Sequence, residues 1–202
     1  MAAILQSLQR TIIAGFVLLI VIFVIVGAIR GYPAIDHGWA SFVMRWLHVL
    51  SGVMWIGLLW YFNFVQIPNM PKIPDEQKPA IGKVIAPAAL FWFRWGAAAT
   101  VATGLLLALM NGYIVNALTL GIVETGVTGQ TVIGIGMWLG LIMAYNVWFV
   151  IWPNQQRALG MVDATPEVKA KSARTAMLFS RTNTMLSIPM LFCMVAAQNA
   201  GL

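Results

Sequence analysis

Five long apolar segments constrain this chain more than any other feature of its sequence. They lie at about 11–29, 41–66, 84–111, 131–152 and 176–199. Each reaches the roughly 20 residues that an α-helix needs to cross about 30 Å of hydrocarbon. The sequence therefore predicts an all-α fold, an integral membrane bundle of five transmembrane helices that forms a single domain over residues 1–202.

Charged side chains are too few for a fold that is surrounded by water. Only 9% of the 202 residues are charged, 12 of them basic and 6 acidic, whereas an ordinary soluble domain has about 25%. This composition excludes a soluble enzyme, a nucleic-acid-binding domain and a disordered chain. The lipid bilayer is therefore the first partner that we expect.

The basic residues predict the orientation of the helices. Eight of them lie on one predicted side of the membrane, while Arg30 alone lies on the other and Arg45 is just inside the second helix. The eight are Arg10, Lys72, Lys78, Lys83, Arg157, Lys169, Lys171 and Arg174. Because cytoplasmic loops are enriched in Lys and Arg, we expect the N-terminus inside and the C-terminus outside.

Prolines predict where two of the helices end. The stretch Pro68-Asn69-Met70-Pro71 is expected to stop the second helix and Pro153-Asn154 the fourth, since proline lacks the N–H that a helix interior requires. Residues 165–174 are interpreted as a short basic segment at the membrane surface. Its Thr165-Pro166-Glu167 start is typical of a helix N-terminus.

The second and fourth helices share a pattern that indicates an internal repeat. Trp55 and Gly57 precede Asn63 at the same spacing at which Trp138 and Gly140 precede Asn146. One interpretation is a parallel repeat of helix hairpins. The other is chance similarity between membrane helices that are rich in Trp and Gly.

His48 is the candidate metal ligand, because it lies at membrane depth in the second helix. An intramembrane histidine is a functional candidate by default, and neutral imidazole is a common axial ligand of haem iron. On a helix of 3.6 residues per turn, His48 shares a face with Arg45, Gly52 and Trp55. Gly52 leaves room for a porphyrin plane, and Arg45 is placed to pair with a propionate. The pattern predicts b-type haem; a histidine bonded within the core is the alternative.

The sequence offers two candidates for a second axial ligand. Met137 on the fourth helix and Met190 on the fifth lie at similar depth, counted from the outer ends of their helices. A five-coordinate iron and a ligand from a partner subunit are equally open. Ordinary packing is the alternative role of both methionines.

Several segments resemble the membrane domain of the cytochrome-c-linked urate oxidases, the urate oxidase N-terminal family. They are Arg45-Trp46-Leu47-His48, residues 55–65, residues 146–155, Arg181-Thr182-Asn183 and Ser187-Ile188-Pro189. The resemblance implies a redox protein of the bacterial inner (cytoplasmic) membrane in which His48 is the matching histidine. Full-length members carry a C-terminal cytochrome c domain. This chain has no CxxCH motif, so its electron acceptor is expected to be a separate protein.

These features together predict an electron-transfer protein that exchanges electrons with quinone or a partner cytochrome. Two alternatives stay open. One is a cofactor-free structural or accessory subunit of a larger membrane complex. The other is an enzyme that oxidises urate with a separate cytochrome c or acts in haem synthesis. The sequence assigns no residue a catalytic role.

Overall fold

The helical character predicted from the sequence is confirmed. The structure, a computed structural model, describes residues 2–122 and 128–199, and no strand occurs in these ranges. Five long helices account for most of the described residues: α1 Leu8–Arg30, α2 His37–Lys72, α3 Lys78–Met110, α4 Gln130–Ala158 and α5 Pro166–Asn199. Two short helices, Ala2–Leu5 and Ile114–Leu118, precede α1 and α4.

Four of the five long helices are long and apolar enough to cross a membrane, namely α1, α2, α3 and α4. Large apolar side chains cover much of their outer surface, and nearly every residue of α1 is exposed. Such a surface suits hydrocarbon rather than water, so these helices suggest a membrane protein. α5 is long enough but less apolar, because one of its faces is polar.

The prediction that Pro153-Asn154 stops the fourth helix is wrong, because α4 continues to Ala158. α2 ends at Lys72, directly after the predicted Pro68-Asn69-Met70-Pro71 stretch, although Pro68 itself lies inside the helix. Pro68 and Pro153 each lie two residues after a π-helical segment, Tyr61–Gln66 in α2 and Asn146–Ile151 in α4. The wider π turn relieves the clash between the proline ring and the preceding turn, and it accommodates the missing N–H.

The short basic segment predicted at 165–174 is not separate from the last helix. α5 runs without interruption from Pro166 to Asn199. No Gly or Pro separates this basic segment from the apolar one, so nothing in the local sequence ends the helix between them. Pro166 does occupy the first helical position, as predicted, and Glu167 lies in the first turn.

Contacts divide the chain into two units, Met1–Phe42 and Val43–Leu202, and each is described by itself. In the first unit, the ring of Phe23 contacts the rings of Tyr32 and Trp39, with centroid distances of 5.8 and 5.5 Å. The single domain predicted over residues 1–202 stays a prediction.

In the second unit, α2, α3, α4 and α5 form a four-helix bundle in which neighbouring helices are antiparallel. The rings of Phe62 and Phe93 join α2 to α3 with a centroid distance of 5.7 Å, and those of Trp95 and Trp148 join α3 to α4 at 5.5 Å. The most deeply buried large apolar side chains, each at most 1% exposed, are Trp55, Leu59, Phe93, Met143 and Val147.

Asn183 ties α5 to α4 at the centre of the bundle. Its side chain is fully buried. Its Oδ1 accepts a hydrogen bond from Asn146 Nδ2 at 2.8 Å, and its own Nδ2 donates to the Met143 carbonyl at 2.9 Å. A buried polar group must find its partners within the protein, and Asn183 finds them on α4.

A second pair of polar contacts ties α5 to α2. Asn63 donates through Nδ2 to Ser180 Oγ at 2.7 Å, and Trp60 donates through Nε1 to Ser187 Oγ at 3.0 Å. Both serines are buried. The polar face of α5 is therefore an internal face that holds two neighbouring helices.

α2 and α4 resemble each other beyond the sequence pattern that predicted a repeat. Each contains a π-helical segment, Tyr61–Gln66 or Asn146–Ile151. In each segment an asparagine, Asn63 or Asn146, donates to α5. The parallel repeat as a whole stays a prediction.

Replacing Asn183 by alanine is expected to lower the free energy of unfolding by about 1–3 kcal/mol, because Asn146 and the Met143 carbonyl both lose a buried partner. Thermal unfolding in detergent measures the effect. Thr182→Ala is the matched control, since Thr182 is exposed and its hydroxyl donates only to the Leu178 carbonyl of its own helix. Equal stability of the two variants would contradict this role of Asn183.

Candidate functional site

His48 projects from α2 against α3, where two acceptors hold one of its ring nitrogens. Its Nδ1 lies 2.9 Å from the Thr100 carbonyl oxygen and 3.3 Å from Thr103 Oγ1. Because a carbonyl oxygen can only accept, Nδ1 carries the proton and donates it. Nε2 then presents a lone pair, and it has no hydrogen-bond partner among the described residues.

A glycine of α3 provides the room for this imidazole. A Cβ atom at Gly104 would lie 2.8 Å from His48 Cε1 and 3.1 Å from Nδ1. At Gly52, which was predicted to leave the flat space, a Cβ would meet only Thr100 Cγ2 at 3.9 Å. Gly104 is therefore the residue against which the ring lies, while Gly52 borders open space beside it.

A cavity of about 590 Å³ opens between the four helices of the second unit. This volume falls within the roughly 300–1,000 Å³ of ligand pockets in proteins. Most of its wall is apolar, and it includes side chains from α2, α3, α4 and α5. Such a cavity has room for a ligand larger than a few atoms and offers it few polar groups.

All six residues predicted to bind a cofactor line this one cavity. The structure brings them together from three helices: Arg45, His48, Gly52, Trp55, Met137 and Met190. Four of them share a face of α2, as the helical period predicted. The two methionines line the same cavity because of the way α4 and α5 pack. Their similar depth, counted from the helix ends, is the feature by which the sequence singled them out. Whether any of the six binds a cofactor stays a prediction.

The end of the cavity near the start of α2 is polar. Arg45, Tyr113, Gln198 and Asn199 line it, and we refer to these four residues as the polar end. Burial raises the pKa of the Tyr113 phenol above its ordinary value, and the positive charge of Arg45 opposes part of this rise. The phenol is therefore a hydrogen-bond donor at neutral pH, beside a permanent cation.

A second cavity of about 60 Å³ borders the same histidine. It is large enough for a few atoms. His48 and Trp55 form part of its wall, together with the thioether side chains Met137, Met190 and Met194. Both predicted methionines therefore line the two cavities that His48 also lines.

Several residues of this site were missed from the sequence, among them Thr100, Gly104 and Tyr113. Thr100 and Gly104 follow Gly96 at intervals of four, which is a small-residue spacing typical of closely packed membrane helices. A Cβ at Gly96 would lie 3.2 Å from the Trp55 backbone nitrogen, so this face of α3 does approach α2. That spacing was the available signal.

Within the described ranges, no group of three or more His, Cys, Asp or Glu side chains is placed to hold a metal ion. The haem predicted from the sequence would not need such a group, because a haem iron takes only one or two ligands from the protein. Whether His48 is such a ligand stays a prediction.

The fold and the site define a class: an all-helical protein with helices of membrane-spanning length around a largely apolar cavity that contains one histidine. Within this class, residues 127–200 match the model of the urate oxidase N-terminal family. The match covers α4 and α5 with segments 146–155 and 181–183, and it confirms the resemblance there. His48 and the α2 segments lie outside the matched residues. Searches of curated proteins and of solved structures found no match.

Gly104→Ala is expected to lower the free energy of unfolding by about 1–3 kcal/mol, because the added methyl group overlaps the His48 ring and breaks its bond to Thr100. Thermal unfolding in detergent measures this loss. Gly140→Ala is the control: Gly140 lines the smaller cavity, but its added Cβ has nothing within 4 Å. If both variants are as stable as wild type, the close approach of His48 to α3 is wrong.

Proposed function

We propose that this chain is an electron-transfer protein that binds b-type haem through His48 in the bacterial inner membrane. It exchanges electrons with quinone or with a partner cytochrome. In this proposal all five long helices span the membrane, with the N-terminus inside and the C-terminus outside. The eight-to-one distribution of basic residues supports this orientation.

The faces of α5 support its assignment as the fifth span. Its buried face carries the polar residues, among them Ser180, Asn183 and Ser187. Its exposed face is apolar and includes Met185, Ile188, Phe192 and Val195, each at least 60% exposed. Its modest hydropathy therefore comes from the side that faces protein, while the other side suits lipid.

The hydrogen bond from His48 Nδ1 to the Thr100 carbonyl is the observation that carries the haem proposal. Metal-binding histidines usually donate their second ring N–H to a carbonyl or carboxylate, which fixes the tautomer and makes the other nitrogen a better ligand. His48 has this arrangement before any ligand is considered, and its side chain lines the cavity of about 590 Å³.

The polar end fits the anionic edge of a haem. A haem has two propionates on one edge and apolar substituents on the other edges. The Arg45 guanidinium is suited to a carboxylate, and the protonated Tyr113 hydroxyl is a second donor close to it. The apolar remainder of the cavity wall matches the apolar edges of the macrocycle.

Different residues of the site would bind the haem and adjust its redox properties. Haem b supplies a one-electron couple when bound. His48 holds and orients it, Thr100 sets the basicity of the ligand nitrogen, and the apolar wall keeps water away. Met137 and Met190 both border the small cavity beside His48, so either thioether is the candidate for a sixth ligand of a six-coordinate iron. A five-coordinate iron would leave this position open to a ligand from outside the protein.

Wild-type protein, purified from native membranes or supplied with haem, is expected to show a Soret band and a reduced α-band at the position of b-type haem. His48→Ala is expected to lose both bands, because the chain loses its iron ligand. His37→Ala is the control, since His37 is the other histidine and is assigned no ligand role. A wild type without chromophore, or an unchanged spectrum in His48→Ala, would contradict the proposal and favour a cofactor-free accessory subunit.

The family match favours urate oxidation as a second candidate function. Residues 1–202 contain no CxxCH motif, so the test supplies a cytochrome c as the electron acceptor. Urate added to the haem-loaded protein is then expected to reduce added cytochrome c, and the absorbance of reduced cytochrome c measures the rate. A rate equal to that without the protein would exclude this candidate and leave the electron-transfer proposal in place.

A further inference from the structure

Trp55 carries a buried indole N–H without a hydrogen-bond partner among the described residues. The side chain is only 1% exposed, yet it lines both cavities. A buried donor that stays unpaired is costly, and more so where no water can reach it. An unpaired N–H at this position is understandable if a bound ligand provides the hydrogen-bond acceptor.

The contrast with a related tryptophan makes this donor conspicuous. Trp138 occupies the position in α4 that corresponds to Trp55 in the repeated pattern of α2. Its Nε1 donates to the Leu118 carbonyl at 3.0 Å, and it lines neither cavity. Of the two, only the tryptophan in the cavity wall lacks an acceptor.

Trp55 also lies in a defined position relative to the proposed iron ligand. It follows His48 by seven residues, about two helical turns, so both side chains lie on one face of α2 and Trp55 is further from the polar end. Both border the cavity of about 60 Å³. The wall of this small cavity is otherwise almost wholly apolar. The indole N–H of Trp55 can therefore orient a small polar molecule there.

We propose that Trp55 recognises a small molecule bound beside His48 by donating a hydrogen bond to an oxygen atom of that molecule. This proposal rests on the proposed function, since it makes the molecule a reaction partner of the redox centre at His48. Two sources supply such an oxygen. One is a diatomic ligand of the haem iron in the cavity of about 60 Å³, and the other is a ring carbonyl of a quinone in the cavity of about 590 Å³, which Trp55 also lines.

The test compares Trp55→Phe, which keeps an aromatic ring and removes the N–H, with Trp138→Phe as the matched control. For the diatomic source, carbon monoxide is added to the reduced, haem-loaded protein, and the C–O stretching frequency is measured. A donor near the oxygen changes this frequency, so we expect a shift in Trp55→Phe and none in Trp138→Phe.

For the quinone source, equilibrium dialysis measures the binding of decylubiquinone to the purified full-length chain, with and without haem. Loss of one buried hydrogen bond is expected to weaken binding about tenfold in Trp55→Phe. Trp138→Phe is expected to bind as wild type does. A response in one arm identifies the source of the oxygen, and a response in both means that both molecules use the same donor.

Stability separates recognition from a structural role. Without ligand, Trp55→Phe is expected to have a Tm no more than a few degrees below wild type, because the lost N–H has no partner. The proposal is overturned if neither arm responds, or if Trp138→Phe weakens binding equally. If wild type binds no haem, the proposed function fails, while the haem-free quinone arm still decides the role of Trp55.

Discussion

Polar groups that are buried between helices must be satisfied by the protein itself, and this requirement organises the bundle. α5 meets it with a polar face whose Asn183 is bonded to α4 and whose Ser180 and Ser187 are bonded to α2. Each bond is directional, so it fixes the rotation of a helix as well as its distance. His48 on α2 and Met137 on α4 face a common space because both helices are oriented by α5.

The same requirement explains the irregular backbone of α2, α3 and α4. Each contains a π-helical segment that ends two residues before a proline: Pro68, Pro87 and Pro153. Proline would leave a carbonyl without a partner in a regular helix, and the π turn redistributes the backbone bonds so that the helix continues. In α2 and α4 the widened turn also carries the asparagine that reaches α5. The prolines thus accompany contacts between helices rather than ends of helices.

The helical period of the sequence predicted the part of the site that lies on α2. The shared face of Arg45, His48, Gly52 and Trp55 depends only on the 3.6-residue period, and the structure keeps these four in one cavity wall. The partner of the imidazole could not be found in this way. Thr100 lies 52 residues from His48, and its backbone carbonyl has no signature in the sequence.

The end of the fourth helix and the start of α5 were predicted wrongly for a related reason. Where a helix ends depends on long-range bonds as well as on local residues. Pro68 and Pro153 are helix breakers by intrinsic preference, and the contacts of Asn63 and Asn146 with α5 outweigh that preference. The surface segment at 165–174 joined α5 because nothing between it and the apolar segment favours a break. A prediction made for each segment separately includes neither the contacts between helices nor the continuity of neighbouring segments.

The bundle divides into a closed half and an open half. In the closed half, Leu59, Phe93, Met143 and Val147 are at most 1% exposed, and the asparagine contacts cross between helices. In the open half, the same four helices enclose about 590 Å³. Side chains around a cavity make fewer packing contacts with one another than side chains in a closed core, so the closed half contributes most of the packing between the helices. Trp55 Nε1, which has no hydrogen-bond partner in the part of the chain that the structure describes, belongs to a side chain of the open half, where a ligand can satisfy it.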